Sequence, residues 1–118
     1  MSSKKYKLLV ISLSALIISI LYLGMEIQHI DDGKNGRFFM LADGKEQAFM
    51  TYVHAGPGKF IIDHTVVMPA NEGKGLGKQL VEAVVTFARE NNYKIMPLCP
   101  FTKAVFDKAP EKYADINF

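Results

Sequence analysis

A glycine-rich loop between Asn71 and Lys78, with the sequence NEGKGLGK, is the stretch of the chain whose residues and spacing most clearly point to chemistry. It lies between a segment typical of a buried strand and a segment with helical periodicity. Glycines at such a junction let the backbone approach a ligand closely, and the free N–H groups and dipole of a helix amino terminus attract anions. Lys74 and Lys78 add positive charge. The loop therefore predicts a pyrophosphate-binding site.

The spacing of the glycines distinguishes between the protein classes that use such loops. A phosphate-binding loop of the Walker type requires Gly-Lys followed by Ser or Thr, whereas Gly77-Lys78 is followed by Gln79. A dinucleotide-binding fingerprint has the spacing G-x-G-x-x-G at the first helix of a strand–helix–strand unit. Here the spacing is G-x-G-x-G, and four predicted strands precede the loop. Both of these classes are disfavoured.

The elements that position the loop follow from hydrophobic periodicity and turn residues in the segment from Met25 to Phe118. Strands are predicted over residues 26–30, 37–41, 47–54, 59–68 and 94–98. An amphipathic helix is predicted after the loop and ends at Asn91-Asn92, and a short helix is predicted over residues 103–108. The strand–helix–strand crossover makes the fifth strand parallel to the fourth. The expected fold is α/β (α+β), with a mixed, mostly antiparallel sheet and a helix packed on it.

The fourth strand is the strongest strand prediction in the chain, and apolar residues on both of its faces indicate a central position. Strict alternation places Asp63 on one face. The opposite face would then carry Phe60, Ile62, His64, Val66 and Met68.

Composition and charge exclude several functions. The chain has 118 residues, the size of one domain, and a single cysteine, Cys99, which rules out an internal disulfide and a four-thiolate zinc site. From Met25 onward, eleven basic and twelve acidic side chains give a net charge of −1. That balance argues against a dedicated nucleic-acid role. His29 and His54 have no spaced partner ligands, so no metal site is expected.

The amino-terminal residues 1–24 differ from the rest of the chain. Residues 8–23 are uncharged and largely apolar, and Lys4, Lys5 and Lys7 precede them. This pattern predicts an uncleaved membrane anchor with its amino end inside, although the apolar run is slightly short for a span. The alternative is that Met25 is the authentic start and the preceding residues belong to an over-extended reading frame. The chain is thus divided into an amino-terminal segment, residues 1–24, and one domain over residues 25–118.

The loop between a long strand and a helix resembles the motif of the GNAT acetyltransferases, which is Arg or Gln, two residues, Gly, one residue, then Gly or Ala. Gly75 and Gly77 match the two small positions, whereas Glu72 stands where Arg or Gln is usual. Residues 63–66, 73–77 and 98–101 extend the resemblance to a minimal YjdJ-type subgroup, and it covers essentially Met25 to Asn117.

This resemblance implies a site for acetyl-CoA in a gap where the fourth and fifth strands splay apart. The pantetheine would bind the backbones of Val66, Val67 and Met68. The pyrophosphate would bind Gly73, Lys74, Gly75, Leu76, Gly77 and Lys78. The larger members of the superfamily insert helices between the first two strands, and this chain has only a turn over residues 31–36. We therefore expect an open, shallow acceptor site.

Acetyl transfer to an amine needs a base for the amine and an acid for the departing CoA thiolate. Cys99, after the fifth strand, would face the thioester and either protonate the thiolate or form a transient acetyl-cysteine. His64 would act as the base, directly or through a water, or else is a buried structural histidine. Tyr113 would approach the thioester, as tyrosines do in many GNAT enzymes.

The resemblance implies an acetyl-CoA-dependent N-acetyltransferase that acts on an amine of a small molecule or protein, with neither metal nor nucleic acid. The alternative is a CoA-binding or protein-interaction module without efficient catalysis. Because acetyl-CoA is intracellular, the first function places the domain in the cytoplasm, and residues 1–24, if retained, make it a single-pass membrane-anchored protein instead.

Overall fold

The structure is a computed structural model that describes residues 25–118. The predicted membrane anchor at residues 8–23 lies outside the described residues. Within residues 25–118, no helix is both long and apolar enough to span a membrane.

A five-stranded sheet forms the body of the domain, and its strands lie in chain order. The strands are β1 (Glu26–Asp31), β2 (Asn35–Ala42), β3 (Lys45–His54), β4 (Lys59–Val67) and β5 (Lys94–Pro97). The first four pair antiparallel as a meander, and β5 pairs parallel to β4. The predicted fold class is confirmed, including the parallel pair that the crossover rule required.

The crossover helix α1 (Leu76–Glu90) covers one face of the sheet. Its apolar side chains recur at helical spacing, so one side of the helix is buried. The exposed side carries Lys78, Gln79, Thr86, Arg89 and Glu90. Together with inward-facing residues of β2, β3 and β4, it forms the hydrophobic core, whose largest fully buried members include Tyr52, Phe60, Met40, Met50 and Leu80.

Two short helices complete the chain after β5. Helix α2 (Pro100–Lys108) begins three residues earlier than predicted, with Cys99 at its N-cap and a proline in its first turn. Proline suits that position because its fixed φ is helical and its missing N–H has no intrahelical acceptor to lose. Helix α3 (Pro110–Tyr113) follows, and Ile95 then forms a parallel bridge to Asn117, which closes the carboxyl end on β5.

A β-bulge at Asp63 changes which side chains of β4 share a face. Thr51 of β3 lies opposite His64, but the next residue, Tyr52, lies opposite Ile62, so Asp63 is an extra residue in β4. An extra residue reverses the alternation of every side chain that follows it. The prediction that His64 shares a face with Phe60 and Ile62 is therefore wrong.

Candidate active site

The gap between β4 and β5 opens after Ile62. The parallel ladder ends with the pair Ile62–Pro97, and the backbone N–H groups of Leu98 and Cys99 then both donate to the Ile62 carbonyl, at 3.1 and 2.9 Å. Beyond this point β4 continues to Val67 in register with β3, while the chain after β5 turns away into α2. Among residues 25–118, no strand pairs with the β4 edge over residues 63–67 on the β5 side.

The end of β4 presents one carbonyl to this gap. Met68 N–H donates to the Gln47 carbonyl of β3 at 2.9 Å. In a trans peptide the preceding carbonyl points the opposite way, so the Val67 carbonyl is directed towards the gap. Met68 C=O accepts the Asn71 N–H at 2.8 Å, so both backbone groups of Met68 are already used within the protein.

The glycine loop leads directly into α1 as the sequence predicted. Gly75 is the N-cap of α1 in the left-handed region, with φ 77° and no side-chain cap. Such a φ is strained for any residue with a Cβ. Because Gln79 N–H already donates to the Gly75 carbonyl at 3.1 Å, the N–H groups of residues 76–78 are those that the helix start offers to an anion.

Gly77 serves a different purpose, because it allows α2 to approach α1 closely. A Cβ at Gly77 would lie 2.7 Å from the Phe101 ring, well inside van der Waals contact. The second small residue of the loop motif therefore lets Phe101 lie against the first turn of α1. Phe101 remains partly exposed beside the loop.

The loop and the two short helices enclose a cleft of about 640 Å³. One wall is the end of β4 with the glycine loop and the start of α1, and the other wall is one side of α2 and α3. The second wall consists of Phe101, Val105, Lys108, Ala109, Lys112 and Tyr113. Lys78 faces them from the start of α1, and Glu72 is the one acidic residue that the described part of the chain contributes to the lining. A cleft with this charge and size suits an elongated anionic ligand.

Cys99 lies buried at the inner end of α2, and its Sγ donates to Thr65 Oγ1 at 3.3 Å. Burial raises the pKa of the thiol, but the hydrogen bond with the Thr65 hydroxyl and those from the backbone N–H groups of Thr102 and Phe101 outweigh it. The pKa of Cys99 therefore lies below its ordinary value. The N-terminus of a helix stabilises the thiolate form of a cysteine.

Thr102 adds a buried hydroxyl to the surroundings of Cys99. The residue is fully buried, and its Oγ1 has no hydrogen-bond partner among residues 25–118. The same hydroxyl contributes to lowering the pKa of Cys99, which means that it stabilises the thiolate. An unpartnered buried hydroxyl costs free energy, and charge on the neighbouring sulfur would recover it.

His64 and Cys99 are not brought together. Thr65, which contacts Cys99, and His64 are adjacent in β4 and point to opposite faces. The His64 side chain is 73% exposed, and its nearest acidic group is Asp63, at 4.0 Å between Nε2 and Oδ2. The bulge is responsible, because without it His64 would lie on the helix side of the sheet.

Tyr113 lines the cleft, but its hydroxyl is already engaged. The side chain is buried and stacks on Phe106, and its O–H donates to Glu82 Oε2 of α1 at 2.6 Å. Burial and the Glu82 carboxylate raise the pKa of Tyr113. The tyrosine therefore ties α3 to α1, and its proton is held by a carboxylate.

Sequence reasoning missed Thr65, Thr102 and Asn71. The proline after Cys99 was a signal that a helix begins there, which would have placed Thr102 one turn from the thiol. No local signal identified Thr65 as the neighbour of Cys99, because that contact joins β4 to a helix 34 residues away. Within residues 25–118 no group of acidic, histidine and cysteine side chains is arranged to hold a metal ion.

A meander sheet with a final parallel pair that splays over a glycine loop defines the acetyltransferase fold class. The chain belongs to the GCN5-related N-acetyltransferase family, whose model matches residues 37–116. The fold resembles the solution structure of a GCN5-like protein from Staphylococcus aureus, with 34% sequence identity and a TM-score of 0.62. That match covers 79% of this chain and 87% of the other.

More distant structures share the fold alone. A ribosomal-protein-alanine N-acetyltransferase from Brucella melitensis is 18% identical with a TM-score of 0.58, and the match covers 66% of this chain and 62% of that one. A protein from Bacillus anthracis, crystallised with acetyl coenzyme A, is 18% identical with a TM-score of 0.53. There the match covers 67% of this chain and 47% of the other. A search of curated proteins finds no match.

Proposed function

We propose that this chain is an acetyl-CoA-dependent N-acetyltransferase that transfers an acetyl group to an amine of a small molecule or protein. The observation that carries the proposal is the β4–β5 gap, with Cys99 buried at its inner end and a lysine-bearing glycine loop at its outer end. A long anionic thioester fits this polarity, because its reactive end is apolar and its other end carries the phosphates.

The cosubstrate would extend along the free edge of β4. The Val67 carbonyl would accept a hydrogen bond from a pantetheine amide, in the manner of an added strand. The N–H groups at the start of α1, with Lys78, would bind the pyrophosphate oxygens. Among the backbones predicted to bind the pantetheine, that of Met68 is the least available, because its N–H donates to Gln47 and its C=O accepts from Asn71.

In the reaction, the lone pair of an uncharged acceptor amine attacks the thioester carbonyl, and collapse of the tetrahedral intermediate breaks the C–S bond. The CoA thiolate then takes a proton from the Cys99 thiol, and the proton of the acceptor nitrogen restores that thiol. In the second route the Cys99 thiolate attacks the thioester first and CoA leaves as its thiolate. The amine then attacks the acetyl-cysteine, the new C–S bond breaks, and the Cys99 thiolate is released. The lowered pKa of Cys99 supports the second route.

His64 remains the proposed base only through water. Its exposed imidazole lies on the face of the sheet opposite α1 and opposite the Cys99 contact, and an acceptor would approach from that face. A proton would reach it from the acceptor amine across at least one solvent molecule. Asp63 accepts a hydrogen bond from the Thr51 hydroxyl at 2.5 Å. Its carboxylate would attract a positively charged acceptor amine towards His64.

The minimal YjdJ-type character is part of the proposal. Its support is the short connection between β1 and β2, which is a turn rather than helices, and the overall size of the matched domain. The same feature supports a second function, a CoA-binding or protein-interaction module, because among residues 25–118 no helix lies on the face of the sheet opposite α1 to shape an acceptor pocket.

The proposal places the domain where acetyl-CoA is made, inside the cell. The first test is thermal unfolding of the full chain with acetyl-CoA, CoA, NAD and ATP at equal concentrations. A ligand at a hundred times its Kd raises the midpoint of a domain this size by about 5 °C or more. A shift with acetyl-CoA and CoA alone supports the proposal, and no shift with either contradicts it.

Turnover then separates the two functions. Release of free CoA thiol is measured with a panel of amines and compared with the rate without protein. Amine-dependent release supports the transferase. Binding of CoA without release on any amine supports the module.

A further inference from the structure

Asn71 is one of two buried polar residues in the described part of the chain, and its side-chain amide and both of its backbone polar groups make hydrogen bonds. Its side-chain Nδ2 donates to Gln47 Oε1 at 2.6 Å, and its Oδ1 accepts from Lys74 Nζ at 3.4 Å. Its backbone N–H donates to the Met68 carbonyl and its carbonyl accepts the Lys74 N–H, at 2.8 and 3.4 Å. The residue thus joins β3, the end of β4 and the glycine loop.

Gln47 fixes the orientation of this contact from the β3 side. Its carbonyl accepts the Met68 N–H at 2.9 Å, and its side-chain Nε2 donates to the Lys45 carbonyl at 3.0 Å. With Nε2 so engaged, Oε1 is the atom left to face Asn71 Nδ2. The Asn71 amide therefore has one orientation, in which Oδ1 points towards Lys74.

Lys74 is an exposed residue, but this contact keeps its ammonium 3.4 Å from Asn71 Oδ1, and Asn71 lines the cleft. This matters because Glu72, at the position where the family motif has Arg or Gln, is exposed and acidic. A loop that binds pyrophosphate with a carboxylate at that position lacks the cation or amide expected there. The Lys74 ammonium lies two residues further along the same loop.

We propose that Asn71 is a positioning residue that holds the Lys74 ammonium beside the glycine loop, so that Lys74 makes the phosphate contact that Glu72 cannot make. This inference rests on the proposed use of CoA. An amide suits the purpose better than a carboxylate, because it accepts a hydrogen bond from the ammonium without cancelling its charge. Ordering Lys74 in advance also reduces the entropy that binding would otherwise cost.

The test is calorimetric binding of CoA and of pantetheine, which lacks the pyrophosphate, to the full chain and to single and double variants of it. Asn71→Leu and Lys74→Ala are each expected to weaken CoA binding by about tenfold, the effect of one oriented charge on a phosphate. The double variant is expected to lose no more than either single one, because the two residues act as one unit. Pantetheine affinity should not change in any of them.

Lys78→Ala is the matched control, because Lys78 lines the cleft without touching Asn71. Its loss of CoA affinity should add to that of Asn71→Leu. Asn71→Asp keeps an acceptor for Lys74 but offsets its charge, so it should weaken CoA binding. Because a carboxylate cannot donate to Gln47 Oε1, this variant should also unfold at a lower midpoint than the parent.

The outcomes distinguish this inference from the proposed function. Losses that add fully in the Asn71→Leu/Lys74→Ala pair, or equal losses for CoA and pantetheine, overturn the inference and leave CoA binding standing. A parent chain that binds neither compound overturns the proposed function itself. Unchanged CoA affinity in Asn71→Asp would show that Lys74 charge is not what Asn71 preserves.

Discussion

Cys99 and Thr65 connect the two strands that diverge at the cleft, because Cys99 Sγ donates to Thr65 Oγ1 at 3.3 Å across the β4–β5 gap. The Cys99 backbone N–H also reaches β4, at the Ile62 carbonyl. The thiol is therefore fixed on both its backbone and its side chain at the point where the strands separate. A rigid position of this kind is what a group facing a thioester requires.

If Cys99 takes part in the chemistry, removing its sulfur should abolish turnover without removing cofactor binding. We expect Cys99→Ala and Cys99→Ser each to lower the amine-dependent release of CoA by about a hundredfold or more, the usual contribution of a positioned proton donor or nucleophile. Cys99→Ser retains a hydroxyl that can donate to Thr65, so it controls for loss of the hydrogen bond. The measurement is CoA release together with CoA affinity.

Full turnover in both variants would remove Cys99 from the mechanism and leave the fold assignment intact. An experiment on the parent protein distinguishes the two proposed catalytic routes. Mass spectrometry of the chain mixed with acetyl-CoA and no amine should show an acetyl group on Cys99 for the covalent route, and none for direct attack.

The lowered pKa of Cys99 predicts its reactivity towards an alkylating reagent as a function of pH. Because the thiolate is the reactive form, alkylation in the folded chain should reach half its maximal rate at a lower pH than in the urea-unfolded chain. Cys99 is the single cysteine in the sequence, so the rate reports one site. Thr65→Val removes the hydroxyl that lowers the pKa and should move the midpoint upward.

The same shift has a consequence for stability, with a defined sign. A thiol whose pKa is lower in the folded state makes a contribution that is present above the unfolded pKa and is lost as the pH falls through the folded pKa. The stability difference between the parent and Cys99→Ser should therefore grow between those two values as the pH rises. A difference that is constant with pH would contradict the lowered pKa.

Much of this fold could be predicted from the sequence because its signals are local. Glycine and proline mark the turns, and periodicity identifies the long helix, so the five strands and the parallel pair follow in order. The bulge could not be predicted, because Asp63 is an extra residue only relative to its partner strand and not within β4. That one residue decides the position of His64, which is why the two proposed catalytic side chains are on opposite faces.

The other end of the sheet holds a polar network whose acid dependence can be tested. Tyr52 O–H donates to Asp31 Oδ2 at 2.5 Å, and His54 Nε2 lies 2.9 Å from the same oxygen. Burial raises the pKa of Asp31, but the hydrogen bonds from Tyr52, Gly33 and His54 outweigh it and hold that pKa below its ordinary value of 3.8. The ionised carboxylate therefore stabilises the folded chain.

For a depressed carboxyl pKa, the stabilisation is complete above the unfolded pKa and disappears as the pH falls through the folded pKa. Asp31→Asn should therefore lower the free energy of unfolding by about 1–3 kcal/mol at pH 7. The loss should shrink below pH about 4 as the parent carboxyl becomes protonated. Urea unfolding at a series of pH values measures this. Glu90→Gln, which removes an exposed carboxylate at the end of α1, should show no such pH-dependent loss.

The positions of the lysines on the wall formed by α2 and α3 predict that the cleft binds CoA more tightly than dephospho-CoA. Phe101, Val105 and Lys108 follow one another along α2 away from Cys99, so the basic end of this wall lies furthest from the proposed thioester position. That is where the adenosine end of CoA, with its 3′-phosphate, would lie. Lys112 lines the same basic end of the wall, and its Nζ lies 3.2 Å from Glu82 Oε2.

Lys108→Ala should weaken CoA binding by about threefold to fivefold, in keeping with the small worth of a solvent-exposed charge pair. It should leave the affinity for dephospho-CoA, which lacks the 3′-phosphate, unchanged. Lys103→Ala is the matched control, because Lys103 is on the same helix but pairs with Asp107 at 2.7 Å and does not line the cleft. Equal losses for CoA and dephospho-CoA would place the lysine contact elsewhere on the ligand, because only a contact to the 3′-phosphate separates the two compounds.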